Sequence, residues 1–263
     1  MNNKIKASLI LTCLSLTACS SSPTGRNQLI LFSDQDMSSL GNSSFEQLKT
    51  ETPISKDVKT NAYVQCVATA ITAYVPKQQS FSQWEVVVFE SDQVNAFALP
   101  GGKIGVYTGL LKVAVNQDQL ATVIGHEVAH VLADHSNERL SQSQIANAGL
   151  QITDVALGAS EYSQYRGLTM AALGVGVQYG VLLPYGRTQE SEADILGLEL
   201  MAKAGFAPKQ SIDLWKNMAK ASGGNTPPEL LSTHPSHSTR IQDLTNKISK
   251  LPASTAARPS CQI

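Results

Sequence analysis

A short run of residues, H-E-V-A-H at 126–130, restricts the fold of this chain more than any other feature of its sequence. Apolar residues recur around this run at helical spacing, namely Leu120, Val123, Ile124, Val131 and Leu132. Such periodicity predicts a helix with one buried face. Asn116 is a suitable N-cap for this helix, with Gln119 at the spacing of a capping box. The chain must therefore fold so that two polar imidazoles lie on one face of a largely buried helix.

Imidazoles at positions i and i+4 of a helix can bind one metal ion together, and the carboxylate of Glu127 is then placed to act as a general base. The alternative is that His126 and His130 are helix histidines whose hydrogen bonds are satisfied by neighbouring side chains. A catalytic zinc ion also needs a third protein ligand and one open position. His135 lies one place too early for the third histidine of the extended pattern H-E-x-x-H-x-x-G-x-x-H, so we interpret it as a helix-end or core residue.

Three acids within five residues, Glu190, Glu192 and Asp194, offer the missing ligand. Glu190 and Asp194 are four positions apart and share a helix face. One of these two carboxylates can bind the metal while the other accepts a hydrogen bond from a ligand histidine, an arrangement common in metal sites. The alternative is a solvated helix face with ordinary acids. The spacing alone leaves open which of the two carboxylates takes which role.

The remaining pattern predicts a mostly helical α+β fold with a small antiparallel sheet. Helices are predicted over 35–50, 56–74, 188–204, 208–222 and 237–251. Strands are predicted over 81–89, 94–99 and 103–108, the last two joined by a Pro-Gly-Gly turn. The apolar stretch 145–183 is predicted to be a helical hairpin packed beside the H-E-V-A-H helix, because its most apolar part is too short to span a bilayer.

The N-terminus has the pattern of an export signal. Lys4 and Lys6 precede an apolar run over 7–16, which is the order found in secretory signal peptides. The end of this region, L-T-A-C at 16–19, is similar to a bacterial lipobox and predicts lipidation of Cys19. Serine rather than aspartate follows, which favours anchoring in the outer membrane of a Gram-negative bacterium, facing the periplasm. The alternative is an ordinary signal peptide with a chance cysteine.

The net charge and the cysteine content restrict the kinds of partner and of covalent cross-link that this chain can have. The formal net charge of −1 gives no indication of a nucleic-acid partner, which usually accompanies a basic excess. Cys13 lies in the predicted signal and Cys19 in the lipobox, so Cys66 and Cys261 remain as an even pair in an oxidising compartment. We predict a disulfide between them, with two free thiols as the alternative.

Taken in order, these segments resemble the HtpX and CaaX-prenyl-protease family of zinc metallopeptidases. The resemblance rests on four motifs: N-A-F-A-L-P-G-G at 95–102, H-E-V-A-H, R-T-Q-E-S-E-A-D at 187–194 and T-H-P-S at 233–236. Together with the lipobox, it points to the periplasmic lipoprotein branch of LoiP- and BepA-like proteins. It implies a zincin-type domain that binds one zinc ion per chain.

The resemblance also implies roles for individual residues. Zinc is expected to be bound by His126, His130 and Glu190, with Glu127 as the base and Asp194 holding a ligand histidine. His234 is expected near the metal, either stabilising the oxyanion or occupying the fourth position. Arg187 and Arg240 are possible partners of the local acids. Asn95, Ala96 and Phe97 are expected to flank the cleft as a strand that an extended peptide joins.

The predicted organisation is a signal peptide at 1–18, a lipidated tether at 19–28, a metallopeptidase domain at 29–251 and a C-terminal tail at 252–263. The predicted function is that of an outer-membrane-anchored zinc endopeptidase, whose partners are unfolded or misassembled envelope proteins and, by analogy, the outer-membrane assembly machinery. The alternative is a chaperone-like assembly or quality-control lipoprotein with latent, regulated proteolysis.

Overall fold

The computed structural model describes residues 19–178, 182–221, 237–252 and 254–262. The helices are α1 (Asp34–Glu51), α2 (Val58–Thr72), α3 (Thr108–Leu111), α4 (Gln117–Leu132), α5 (His135–Gly158), α6 (Arg166–Val177), α7 (Leu183–Lys203), α8 (Gln210–Ala221) and α9 (His237–Ile248). The strands are β1 (Cys19–Ser21), β2 (Asn27–Leu29), β3 (Glu85–Phe89), β4 (Ala96–Leu99) and β5 (Lys103–Tyr107). The prediction of a mostly helical α+β fold is confirmed.

Helix α4, which carries the H-E-V-A-H run, passes through the core. The side chain of Asn116 caps it by accepting a hydrogen bond from the Gln119 N–H at 3.0 Å. The Gln119 side chain in turn accepts the N–H of Val115 at 3.0 Å, one residue earlier than a capping box requires. Leu120 and Ile124 are fully buried in the main apolar cluster, so the predicted buried face packs as expected.

Helices α4 and α7 touch backbone to backbone beside the first histidine. A Cβ atom on Gly125 would lie 2.9 Å from the carbonyl oxygen of Gly197, and one on Gly197 would lie 2.7 Å from the backbone nitrogen of His126. Only glycine permits such an approach. This contact holds the acids of α7 opposite the histidines of α4.

The three-stranded sheet differs from the prediction in the direction of one strand pair. Its order is β3-β5-β4, with β4 antiparallel to β5 but β3 parallel to β5. The tight turn at Gly101 and Gly102, both with positive φ, reverses the chain between β4 and β5 as predicted. Strand β5 therefore lies in the centre of the sheet, where it pairs in parallel with β3, and β4 lies at one edge.

Helices α5 and α6 form the predicted hairpin, but only the start of α5 is packed into the domain. Its first turns contain the buried residues His135, Asn137, Glu138 and Ser141. Farther along, Ile152 is 71% exposed, and Leu168 on α6 is 76% exposed. The prediction that the whole hairpin packs beside α4 is therefore wrong, because its apolar residues face outward. None of the described helices is long and apolar enough to cross a membrane.

The N-terminal segment is folded onto the domain, which corrects the prediction of a tether over 19–28. Strands β1 and β2 pair as an antiparallel hairpin. Ser22 and Gln28 are buried, and the Gln28 side chain donates to the carbonyl of Ala133 at 2.6 Å. Polar side chains that looked suited to a solvated linker instead satisfy buried partners.

The C-terminal tail also lies against the domain rather than loose in solvent. In this structure a disulfide joins Cys66 on α2 to Cys261. Gln117, at the start of α4, donates to the carbonyl of Pro259 at 2.8 Å and accepts the N–H of Cys261 at 2.8 Å. Arg258 pairs with the buried carboxylate of Asp118. These contacts fix the tail to the first turn of α4.

Candidate metal centre

Three side chains from α4 and α7 converge at the crossing of these helices. The Nε2 atoms of His126 and His130 lie 3.1 Å apart. The carboxylate of Glu190 faces both nitrogens, with one oxygen 3.3 Å from His126 Nε2 and the other 3.4 Å from His130 Nε2. Two imidazole nitrogens and a carboxylate are a donor set of catalytic metal sites. These three residues, the set that the family resemblance implies, could hold a metal ion.

Behind His126 lies a single carboxylate that is itself held by a buried arginine. Asp194, one helical turn beyond Glu190, lies 3.0 Å from His126 Nδ1. Arg240 on α9 donates to the second Asp194 oxygen at 2.8 Å, and its guanidinium carbon lies 3.6 Å from the centre of the Trp215 ring. A carboxylate accepts a hydrogen bond from a protonated Nδ1, and this leaves Nε2 of the same ring available to a metal.

Behind His130 lies a second imidazole instead. His130 Nδ1 and His135 Nδ1 are 2.8 Å apart, and His135 Nε2 is 3.1 Å from the carboxylate of Glu192. Because the carboxylate accepts only, His135 donates from Nε2 and accepts at Nδ1. His130 must then donate from Nδ1, so its Nε2 atom is also available to a metal. His135 is a core residue, as interpreted from the sequence.

The three histidines differ in proton affinity. Burial lowers the pKa of His130 to about 2, assisted by the neighbouring charge of His126. Burial also lowers the pKa of His135. For His126, burial lowers the pKa, but hydrogen bonds to Asp194 and Glu190 raise it more, to about 9. A metal at this centre would therefore displace a proton mainly from His126.

The cations around Glu190 are not all those predicted. Arg139 on α5 donates to a Glu190 oxygen at 3.1 Å, and Arg240 approaches the other oxygen at 3.8 Å. Arg240, one of the two arginines that the resemblance suggests, thus lies beside both Glu190 and Asp194. Arg187, the other, forms no ion pair with an acid in the described part of the chain. Arg139 was missed because nothing in its spacing relates it to the motif.

The other predicted site residues are placed as follows. Glu127 is half-buried on α4, beside His126. His234 lies outside the described residues. Asn95 immediately precedes the edge strand β4, in which Ala96 is buried. Phe97 points to the opposite face, where its ring packs among Phe45, Phe89 and Tyr107. Phe97 therefore belongs to an aromatic cluster rather than to the metal centre.

Comparison with known proteins identifies the family. The profile of peptidase family M48 matches residues 58–248, a range that contains every residue of the converging set. The chain belongs to peptidase family M48.

Several relatives of this M48 chain are named as metalloendopeptidases or proteases. Mitochondrial metalloendopeptidase OMA1 of Schizosaccharomyces pombe is 34% identical over 70% of this chain and 52% of its own length. Metalloendopeptidase OMA1 of Bos taurus is 30% identical over 90% of this chain and 47% of its own length. The beta-barrel assembly-enhancing protease of Yersinia pestis is 26% identical over 83% of this chain and 45% of its own length. The chain spans about half the length of the curated relatives it matches.

Sequence reasoning missed much of what surrounds the M48 centre on the His130 side. Glu192 was noted only as one acid of three, yet it is 4% exposed and forms hydrogen bonds with His135, Thr24 and Arg26. Because Glu192 lies two positions from both Glu190 and Asp194, its side chain projects from another face of α7. Only one feature of the sequence could have indicated these contacts. Burying three acids is costly unless cations pair with them, and the motif itself contains too few cations.

Proposed function

We propose that this chain is a zinc metalloendopeptidase that cleaves unfolded or misassembled proteins of the cell envelope. The observation that carries the proposal is the convergence of His126 Nε2, His130 Nε2 and the Glu190 carboxylate within 3.1–3.4 Å of one another. Three such ligands leave one position of a tetrahedral zinc ion open, as in catalytic rather than structural sites. Membership of peptidase family M48 supports peptide-bond hydrolysis as the reaction.

In the proposed mechanism, the protein supplies orientation and proton transfer. Asp194 and His135 hold the ligand rings so that both Nε2 atoms face the same point. Zinc, when bound there, supplies Lewis-acid catalysis and lowers the pKa of water towards ~7. Glu127 takes a proton from the attacking water and delivers it to the leaving amine. His234 is proposed either to stabilise the oxyanion or to occupy the fourth position and keep the enzyme latent.

Substrate is proposed to bind along β4. This strand lies at the edge of its sheet and packs against α4, so an extended peptide could add to it as a further strand. Main-chain hydrogen bonds would then provide most of the affinity. Such binding suits unfolded polypeptides, because it needs an extended segment and little side-chain selectivity.

The proposed location is the periplasmic face of the outer membrane, with a lipid on Cys19. This rests on the export signal and lipobox at the N-terminus of the sequence. A relative named for enhancing beta-barrel assembly supports a role near outer-membrane assembly, while the mitochondrial relatives lie in another compartment. The outer-membrane assembly machinery is accordingly a proposed partner.

The experiment compares the wild type with Glu127→Gln, both loaded with zinc, on an unfolded protein substrate. We expect one zinc ion per chain in both proteins, and cleavage that falls by about 10²–10⁴-fold in the variant, the usual cost of losing a general base. Undiminished cleavage by the variant would contradict the mechanism. Zinc in both but cleavage by neither would favour the chaperone-like alternative, with latent proteolysis.

A further inference from the structure

We propose that the N-terminal segment, residues 22–28, is a working part of the metal centre. In this view it positions the ligand His130 through Glu192 and His135, although it lies more than a hundred residues away in the sequence. The inference rests on the proposed metal site and adds to it a structural requirement that the ligand set does not contain.

Arg26 is the central contact of the segment. Its guanidinium donates to both oxygens of Glu138, at 2.6 and 2.7 Å. Its Nε atom donates to Glu192 at 3.0 Å. One arginine therefore bridges a carboxylate of α5 and a carboxylate of α7. Glu138 is fully buried, Glu192 is 4% exposed and the Arg26 side chain is 18% exposed, so these are charge-assisted hydrogen bonds to two buried carboxylates.

Two further residues of the segment complete the contact. The Thr24 hydroxyl donates to the Glu192 oxygen that Arg26 leaves free, at 2.5 Å. The Gln28 amide donates to the carbonyl of Ala133, which lies between α4 and α5, at 2.6 Å. Both oxygens of Glu192 are thus engaged by residues that precede the first long helix of the domain.

Glu192 passes this constraint to the ligand. Its oxygen accepts the Nε2–H of His135, and His135 Nδ1 accepts the Nδ1–H of His130. The direction of each hydrogen bond follows from the one before it, beginning with a carboxylate that can only accept. The chain of contacts ends with an Nε2 lone pair on His130 that is directed at the metal position.

The segment is needed because nothing else in the described part of the chain holds both oxygens of Glu192. Without Arg26 and Thr24, the carboxylate keeps His135 as its partner but is free to rotate with it. Outer contacts of this kind typically change metal affinity by about 10- to 100-fold when they are removed. Arg26, Thr24 and Glu192 are therefore positioning residues, which do not touch substrate or metal.

The test measures zinc affinity by competition with a chelator and records the visible absorption spectrum of the Co²⁺-loaded protein. Arg26→Ala is expected to weaken zinc binding by up to about tenfold, the lower end for an outer contact because it acts through two intervening side chains, and to alter the cobalt spectrum. Arg26→Lys should fall between the alanine variant and the wild type, because one ammonium cannot bridge two carboxylates as a planar guanidinium does. The matched control is Arg166→Ala, which removes another arginine–carboxylate pair, with Asp154, on the exposed hairpin.

Thr24→Val provides a second test that retains volume and every charge. Loss of this single hydrogen bond should weaken zinc binding by about two- to tenfold. If both Arg26→Ala and Thr24→Val lower the thermal stability of the metal-free protein but leave zinc affinity and the cobalt spectrum unchanged, the segment is merely structural and the inference is wrong. Absence of zinc binding by the wild type would overturn the proposed function itself, and this inference with it.

Discussion

The two sides of the candidate metal centre each orient a histidine Nε2 atom, but they do so by different chemistry. On one side, His126 donates directly to Asp194, a carboxylate fixed by Arg240. On the other, His130 donates to a neutral imidazole, His135, which in turn donates to Glu192. The first support consists of one contact and one arginine. The second is a relay of three side chains that ends in the N-terminal segment.

Helix α7 supplies acidic side chains to both sides of the centre from adjacent turns. Glu190 and Asp194 face the histidines of α4, while Glu192, between them in sequence, faces α5 and the N-terminal segment. A histidine held directly by a carboxylate depends on one charge, whereas a histidine held through an imidazole depends on how firmly the relay is fixed. The two sides should therefore respond unequally to mutation.

The largest effect is expected from Asp194→Asn. Arg240, which is 4% exposed, would lose its nearer charged partner and keep only Glu190 at 3.8 Å, and breaking a buried pair in this way costs at most about 3–5 kcal/mol of the free energy of unfolding. Zinc affinity should fall by about 100-fold, the upper end for an outer contact. Urea unfolding and chelator competition measure the two quantities. Wild-type affinity in this variant would show that the His126 side does not depend on the carboxylate charge.

A Cys66→Ser, Cys261→Ser double variant separates stability from metal binding. Loss of the disulfide is expected to reduce the free energy of unfolding by about 2–5 kcal/mol. Zinc affinity should remain that of the wild type, because the disulfide joins α2 to the tail and touches neither side of the metal centre. If zinc affinity falls together with stability in this double variant, a loss of zinc affinity in another variant no longer shows that the mutated residue supports a metal ligand.

His135→Gln tests the relay side at its middle member. The amide keeps hydrogen-bonding groups but cannot reproduce the ring that joins His130 to Glu192, so we expect zinc affinity to fall by about tenfold. The same chelator competition measures it. A loss as large as that of Asp194→Asn would remove the proposed difference between the two sides.

The smallest effect concerns acid stability on the relay side. Burial raises the pKa of Glu138, but hydrogen bonds from Arg26, Gln189 and Gln28 lower it more, to below its usual 4.5. A carboxyl with a depressed folded-state pKa contributes stability that is present above pH 4.5 and is lost as the pH falls below this value. Unfolding of the metal-free protein at decreasing pH should therefore show a shallower decline in Glu138→Gln. Equal slopes would indicate that the pairing with Arg26 does not stabilise the fold.

The sequence predicted the His126 side because its information is local. An i, i+4 pair of histidines and an i, i+4 pair of acids each fix a helix face, so the spacing predicts that Glu190 and Asp194 lie opposite the histidines. Which acid takes which role followed only from the family resemblance. Most of the helices and the β4–β5 turn were likewise predicted from periodicity and from the Pro-Gly-Gly sequence, whereas the short helix α3 was not.

The relay side could not be read from the sequence, because its members are far apart in the chain and have no common spacing. Arg26 lies in a Ser-, Pro- and Gly-containing segment that has the composition of a linker, and its burial depends on carboxylates more than a hundred residues later. The parallel pairing of β3 with β5 was missed for a related reason: strand periodicity gives the existence of a strand and not its neighbour. The outward apolar face of α5 and α6 has the same periodicity as a buried one.

We propose that two unlike supports direct both Nε2 atoms to one metal ion. A crystal structure of the zinc-loaded protein, with anomalous data collected at the zinc absorption edge, tests it most directly. We expect one zinc ion per chain, bonded to His126 Nε2, His130 Nε2 and the Glu190 carboxylate, with Asp194 and His135 still on the two Nδ1 atoms. A zinc ion bonded through either Nδ1 atom, or one bound away from these three residues, would contradict the account.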